Sequence, residues 1–320
     1  MEKDAVIYVA GHTGLAGSAI VRKLRADGHS NIVTRSHKEL DLIRQKDTER
    51  FLNEVRPDYV FMAAAKVGSI MANDTYPADF IYRNLAIQTN MIEAARQTGV
   101  RRLLFLGSSC IYPRECPQPM KEDNLLTGPL EKTNEAYAVA KIAGIKMCQA
   151  YNKQYQTRFV SVMPTNLYGP CDNFDPEFSH VPAALLRKFH EAKVSRGSEV
   201  VVWGTGRPRR EFLHADDLAD ACCFIMNLDQ ERFDSLFFDH ETPLVNIGVG
   251  RDISIAELAE LVKEIVGYQG DIVYDTAKPD GTFQKLQDVS RLSALGWQAT
   301  IPLQDGLRQA YQWCLDNQVF

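Results

Sequence analysis

The apolar run "AVIYVA" at 5–10 is followed directly by "GHTGLAG" at 11–17 and then by "SAIVRKLRADG" at 18–28. No other stretch constrains the fold as much. The spacing Gly-x-x-Gly-x-x-Gly puts Gly11 at the tight exit from a strand. It puts Gly14 where backbone must approach a pyrophosphate, and Gly17 where a helix packs on a sheet. His12, Thr13, Leu15 and Ala16 complete the turn. A helix that starts there offers unpaired N–H groups and positive potential to phosphates. Glycines also serve in plain turns, so the weight lies in the placement between a first strand and a first helix.

The alternation continues. "NIVTRS" (31–36), "DYVFMAAA" (58–65), "RRLLFLGS" (101–108) and "RFVSVMPTNLYG" (158–169) read as strands, and 47–55, 77–99 and 134–155 as helices. Such βαβ repetition predicts an α/β fold with a Rossmann-like doubly wound parallel sheet. Beyond residue 170 the pattern loosens into "CDNFDPEFSH" and "GTGRPRR", with a helix at 255–267. At 320 residues the chain exceeds what one core usually covers. The expected division is a dinucleotide-binding unit at 1–170 and a smaller α/β substrate-binding unit at 171–320. Later segments are expected to cross back into the first unit.

Composition removes several alternatives. A net charge of −5, from 36 basic against 41 acidic residues, argues against nucleic acid as the main partner. No apolar run approaches the roughly 20 residues that span a bilayer, and the start has no secretory h-region. The seven cysteines lack metal-ligand spacing, so no metal site is expected. They suit a reducing, cytoplasmic compartment.

The second strand runs into "RSHKELD". Folds that prefer NAD usually carry an acid at that point, to hold the ribose diol. Here the position offers Arg35, with His37 and Lys38 nearby, and a guanidinium pairs with a 2′-phosphate. NADP(H) is therefore expected, with Asp41 and Leu42 beside the adenine.

"GSSCIYP" (107–113) follows the fourth strand, and "YAVAK" (137–141) lies on a helix. Tyr137 and Lys141, four apart, share one helix face. A phenol of pKa about 10 exchanges slowly near neutrality, and an adjacent ammonium favours its ionised form. Ser108 is placed to hydrogen-bond a reacting carbonyl. Reduction leaves Cys110 unexplained. If the segment is extended, residues 108 and 110 point the same way, into the same cleft. A buried, inert cysteine is the plain alternative. A partner exists in "EFSHVPAALLRKF" (177–189), where His180 precedes a helix. A thiol and an imidazole bracket neutral pH, as proton exchange next to a ketone requires.

Together with "NLYGP" (166–170), "REFLHADDLADA" (210–221), "VNIGVG" (245–250) and "LGW" (295–297), these motifs resemble the extended short-chain dehydrogenase/reductase family along the whole chain. "LGSSCIYP", "EAYAVAKIAGIKMC", "SVMPTNLYGPCDNF" and "KPDGT" are similar to one branch of it. That branch acts on GDP-4-keto-6-deoxy-D-mannose, inverting C3 and C5 and reducing C4. The resemblance implies Ser108, Tyr137 and Lys141 as the reductase triad, and Cys110 with His180 as the epimerase pair. It implies NADPH on the 11–17 turn, on Leu106, Gly107, Ser108 and Ser109, on Tyr137 and Lys141, on Pro164, Thr165, Asn166 and Leu167, and on His180. For the GDP-sugar it implies Lys188, Trp203, Arg210 and Asp280. It also implies a homodimer formed by helices of roughly 77–98 and 134–155; the apolar Ile87, Met91 and Ile145 on them suit either that contact or ordinary core. Met163 stands where the wider family has arginine, a trait of the same branch. Thr13 and His37 stand where some relatives carry arginine.

Two other readings stay open. One is a 4-epimerase or 4,6-dehydratase of the same fold, although a dehydratase would want a carboxylate where Cys110 stands. The other is a redox-sensing binding protein without turnover, which would usually lack Tyr137 or Lys141.

Overall fold

A computed structural model describes residues 1–176, 179–240, 242–278 and 280–320. Glu177, Phe178 and Pro279, which fall in the quoted motifs, lie outside the described residues. The first half builds β1 (Ile7–Ala10), α1 (Leu15–Ala26), β2 (Ile32–Val33), α2 (Gln45–Val55), β3 (Tyr59–Met62), α3 (Ile70–Thr75), α4 (Pro77–Thr98), β4 (Arg102–Leu106), α5 (Glu135–Tyr155) and β5 (Phe159–Pro164). A six-stranded parallel sheet runs β2, β1, β3, β4, β5 and then Leu244–Ile247. The sixth strand thus comes from far along the chain. Strand order reverses at β1, and in open α/β sheets the crevice beyond the strand C-termini at that point takes ligands.

Strands buried on both faces explain the apolar runs. In β1, Ile7 and Val9 join Ile20, Leu24, Leu218 and Ile225 on one side. Tyr8 and Ala10 join Phe51, Leu52, Met91 and Ile145 on the other. Period-two alternation therefore feeds two separate cores. The helices stop where their sequence dictates. Pro77 opens α4, and Gly99 ends it at φ +77, where a side chain would be strained.

One expected strand divides. Instead of running 158–169, the chain leaves the main sheet after Pro164, and Asn166–Tyr168 pairs with Phe212–His214. The switch is pinned at Thr165 and Asn166. Thr165 N donates to the Ile247 carbonyl, and the Asn166 amide donates to the Glu211 carbonyl. The expected strand 31–36 shortens to Ile32–Val33, because Ser36 turns to bond Glu39 through its N–H and hydroxyl, both at 2.7 Å. A third core, with Phe189, Leu258, Val262 and Leu307, organises the later segments. Among them are the helix Val181–Ser195, the parallel pair Glu199–Trp203 with Asp271–Asp275, and the short strands Arg209–Arg210 and Gln284–Lys285. The helix Ser254 caps, Ile255–Val266, has a capping box with Glu257 and ends at Gly267. No helix among the described residues is long and apolar enough to cross a membrane.

Candidate active site

The glycine turn is built for close approach. Gly11 has φ +83, and a Cβ there would meet Ala64 N at 2.7 Å. A Cβ on Gly17 would lie 2.1 Å from the Gly11 carbonyl oxygen, so α1 sits directly against the turn. A Cβ on Gly14 meets nothing closer than 3.6 Å, and the helix has no acidic residue in its first turn. An exposed helix N-terminus without carboxylates suits a pyrophosphate. His12 Nδ1 beside it is buried without a hydrogen-bond partner.

Past β2, the exposed Arg35 guanidinium lies 5.4 Å over the Phe51 ring and donates to the Thr34 carbonyl at 2.7 Å. Among the described residues no carboxylate forms a salt bridge with it. Asp41 is occupied, with His37 at 3.7 Å and its Oδ1 accepting from Ile43 N. Leu42 is buried in the core, and its carbonyl accepts from Asn90. The residues present therefore fit a dinucleotide whose adenosine carries a 2′-phosphate.

At the end of β4, Ser108 caps a 3₁₀ turn over Ser109–Ile111, and its hydroxyl accepts from Cys110 N at 3.4 Å. The expected extended conformation is thus replaced by a turn. Alternation does not bring residues 108 and 110 together; the tight turn does. The Ser108 hydroxyl lies beside both the Tyr137 phenol and the Cys110 thiol, and opposes the effect of burial on each. Cys110 is 8% exposed, and burial raises its pKa. Its surroundings are polar, since Ser108, Lys285 and Lys141 all pull the other way.

Tyr137 packs edge-on against Phe80 at 6.1 Å. Lys141 Nζ lies 5.8 Å from the Tyr137 ring centroid and donates to the Leu106 carbonyl at 2.7 Å. From the sequence, Lys141 should draw the phenol pKa down. Burial dominates instead, pushing Tyr137 up and bringing Lys141 down to about 8. The ammonium answers the Leu106 carbonyl before it answers the phenol.

His180 is the exposed N-cap of Val181–Ser195, yet desolvation lowers its pKa. No hydrogen bond joins it to Cys110 among the described residues. Pro164, Thr165, Asn166 and Leu167 lie at the end of β5, on the same sheet edge as Gly107 and Ser109.

The substrate candidates form a second group. Trp203 is 54% exposed, with the ammonium groups of Lys188 and Lys278 each 5.3 Å from its ring. Lys188 also donates to the Val201 carbonyl at 3.1 Å. Burial lowers the pKa of Arg210, and Asp280 opposes that. Asp280 is engaged elsewhere: its two oxygens accept from Thr205 N at 2.8 Å and Thr205 Oγ1 at 2.7 Å. It ties its loop to the turn after Trp203.

Two residues escaped the sequence. Lys285 pairs in register with Arg210. Although Glu131 lies near enough to favour its charge, its ammonium forms no hydrogen bond or salt bridge among the described residues. It is desolvated, its charge reaches the Cys110 thiol, and it links the two groups. Glu211 is fully buried and accepts from the N–H groups of Val249, Gly250 and Gln287. It clamps the segment that carries Lys285. "FQKLQD" has no motif that would flag a lysine, and Glu211 was visible only as part of "REFLH".

Comparison with known proteins supplies relatives for the whole chain. The chain is 60% identical over 319 residues to the putative GDP-L-fucose synthase 2 of Arabidopsis thaliana, covering 100% of this chain and 94% of that one. It is 52% identical to the GDP-L-fucose synthase of Escherichia coli K12, over 98% of this chain and 97% of that one. The structure overlays on MlghC, a GDP-mannoheptose C4 reductase from Campylobacter jejuni with NADP bound. The TM-score is 0.89 at 40% identity, over 98% of this chain and 99% of that one. Residues 7–235 match the NAD dependent epimerase/dehydratase family. The chain belongs to that family.

Proposed function

We propose that this chain converts GDP-4-keto-6-deoxy-D-mannose to GDP-L-fucose, inverting C3 and C5 and then reducing C4 with NADPH. The observation that carries this reading is the place of Ser108, whose one hydroxyl lies beside both the Tyr137 phenol and the Cys110 thiol. Hydroxyl and phenol meet at the C4 oxygen, and the thiol reaches the neighbouring carbons. Near-complete identity spans with GDP-L-fucose synthases support the same substrate.

Cys110 takes a proton from the carbon next to the ketone. Ser108 and Tyr137 hydrogen-bond the resulting enolate oxygen. His180, on a separate element, returns a proton to the opposite face. The nicotinamide, when bound, supplies hydride to C4. Tyr137 then gives its proton to the new hydroxyl oxygen, and Lys141 orients the phenol and the nicotinamide ribose. Gly11–Gly17 hold the pyrophosphate, and Arg35 the 2′-phosphate. Lys188 and Arg210 neutralise the diphosphate, Trp203 walls the base, and Asp280 shapes the loop.

On this reading residues 1–170 form the cofactor unit, with Ala215–Asn227, Gln230–Phe238 and Leu244–Ile247 crossing back to it, and 171–320 otherwise mainly form the substrate unit. A homodimer through α4 and α5 is supported by exposed apolar side chains on them, Tyr82 at 64% and Val139 at 41%. Seven unpaired cysteines support a reducing compartment such as the cytoplasm.

The test is product analysis by NMR after incubation with GDP-4-keto-6-deoxymannose and NADPH. GDP-L-fucose is the expected product. A product with C3 and C5 unchanged would assign the chain to plain C4 reduction and overturn the epimerase half.

A further inference from the structure

The sheet edge opposite the active site carries a second concavity. A cavity of about 740 Å³ lies there, between the N-terminal ends of β3, β4 and β5 and the C-terminal ends of α4 and α5. Small-molecule sites typically span about 300–1,000 Å³. Arg96, Arg101, Arg102 and Arg158 line it, and among the described residues no aspartate or glutamate does.

Part of that charge has a local explanation. The negative ends of α4 and α5 point here, and cations favour helix C-termini. Arg96 also pairs with Glu93, and Arg101 with Glu2 and Asp58, behind the rim. Arg102 and Arg158 are answered differently, Arg158 by an ion pair with Asp234. Arg102 donates to the carbonyls of Met226 and Leu228 at 3.0 and 2.8 Å and packs 4.0 Å over Phe233. No carboxylate forms a salt bridge with it among the described residues, and burial lowers its pKa. Arg158 Nε is buried without a hydrogen-bond partner, since Asp234 stands 3.7 Å away, beyond hydrogen-bond length. Both guanidinium groups line the cavity, and charge-assisted hydrogen bonds from arginine to phosphate are among the strong ones. Tyr155 adds an exposed aromatic face, with the Arg96 guanidinium 4.6 Å over its ring.

We propose that this cavity is a second ligand site, taking a phosphate-bearing metabolite with a planar ring, of nucleotide size. Phosphate oxygens answer Arg102 and Arg158, and the ring lies along Tyr155. The site is distinct from the dinucleotide and sugar-nucleotide sites and does not depend on the reading of the reaction.

Calorimetry with adenosine 5′-monophosphate and with inorganic pyrophosphate tests it on the full chain. Three further proteins are compared: Arg158→Gln, Arg102→Ala, and a double variant Arg35→Ala/Arg210→Ala that removes phosphate contacts at the other sites. Binding of the monophosphate is expected to survive in the double variant and to weaken at least tenfold in Arg158→Gln. Pyrophosphate should follow the same pattern more weakly, since it lacks the ring. Arg102→Ala disturbs packing on Phe233, so Arg158→Gln, at the rim, decides the matter once its melting curve matches the parent's. Binding that is absent, unchanged in Arg158→Gln, or abolished by the double variant would overturn the proposal.

Discussion

Lys141 Nζ donates to the carbonyl of Leu106, the last residue of β4, across 2.7 Å. That bond fastens α5 to the sheet edge and fixes where Tyr137 can stand. It also leaves a charge in a buried place, with its pKa lowered to about 8. The unfolded lysine keeps its ordinary value, so above pH 8 the unfolded chain binds the extra proton and stability rises with pH. Below pH 8 the full unfavourable effect is present. The stability margin of Lys141→Met over the parent should therefore narrow as pH climbs from 8 to 10, read by thermal melts of both proteins. Reduction should fall in the same variant by about 10²–10⁴-fold. A margin independent of pH would mean the ammonium is not desolvated.

Cys110→Ser should lose deuterium exchange at C3 and C5 by about 10²–10⁴-fold in deuterated water without NADPH. Because burial raises the thiol pKa, exchange in the parent should keep climbing with pH through the ordinary thiol range. A plateau below pH 8 would point to another base. Lys285→Met removes one of the groups that holds this thiol down. Alkylation of Cys110 by iodoacetamide should shift to higher pH in that variant and stay where it is in a surface control.

Arg35→Ser should move the cofactor preference from NADPH toward NADH. A charge-assisted hydrogen bond contributes about 1.5–3 kcal/mol, which corresponds to roughly tenfold to a hundredfold in the ratio of kcat/KM values. Loss of both cofactors equally would assign Arg35 to the fold rather than to the 2′-phosphate.

Gly17→Ala would place a methyl 2.1 Å from the Gly11 carbonyl oxygen. Backbone rather than a flexible side chain stands in the way, so α1 must shift. Overpacking of this kind costs about 1–3 kcal/mol. Thermal melts should show the loss, and cofactor titrations should show weaker binding, since the helix N-terminus moves with the turn.

The sheet and the glycine turn were legible because they depend on local patterns: buried strands read as apolar runs, and a positive φ demands glycine. That Tyr137 and Lys141 share one helix was legible from their spacing, while their meaning came from the company of the glycine turn and Ser108. Cys110 was placed in the right company by a wrong route, since nothing in "GSSCIYP" distinguishes an extended segment from a 3₁₀ turn. Asp280 came only with the resemblance; its engagement by Thr205, 75 residues away, is a long-range contact that no local pattern shows. Lys285 and Glu211 were hidden likewise. Their importance comes from what the fold brings alongside them, not from their neighbours in the chain.

The strand Leu244–Ile247 pairs with β5, in register from Ser161 to Pro164. During synthesis β5 is therefore made long before its outer neighbour. Until residue 247 leaves the ribosome, one row of β5 backbone groups faces solvent or the wrong strand, a recognised invitation to mispairing. The nascent chain must shelter that border through some eighty residues of intervening sequence (about four to sixteen seconds at ordinary translation speeds). A truncation that ends before residue 244 would thus produce not half an enzyme but a sheet with an open seam.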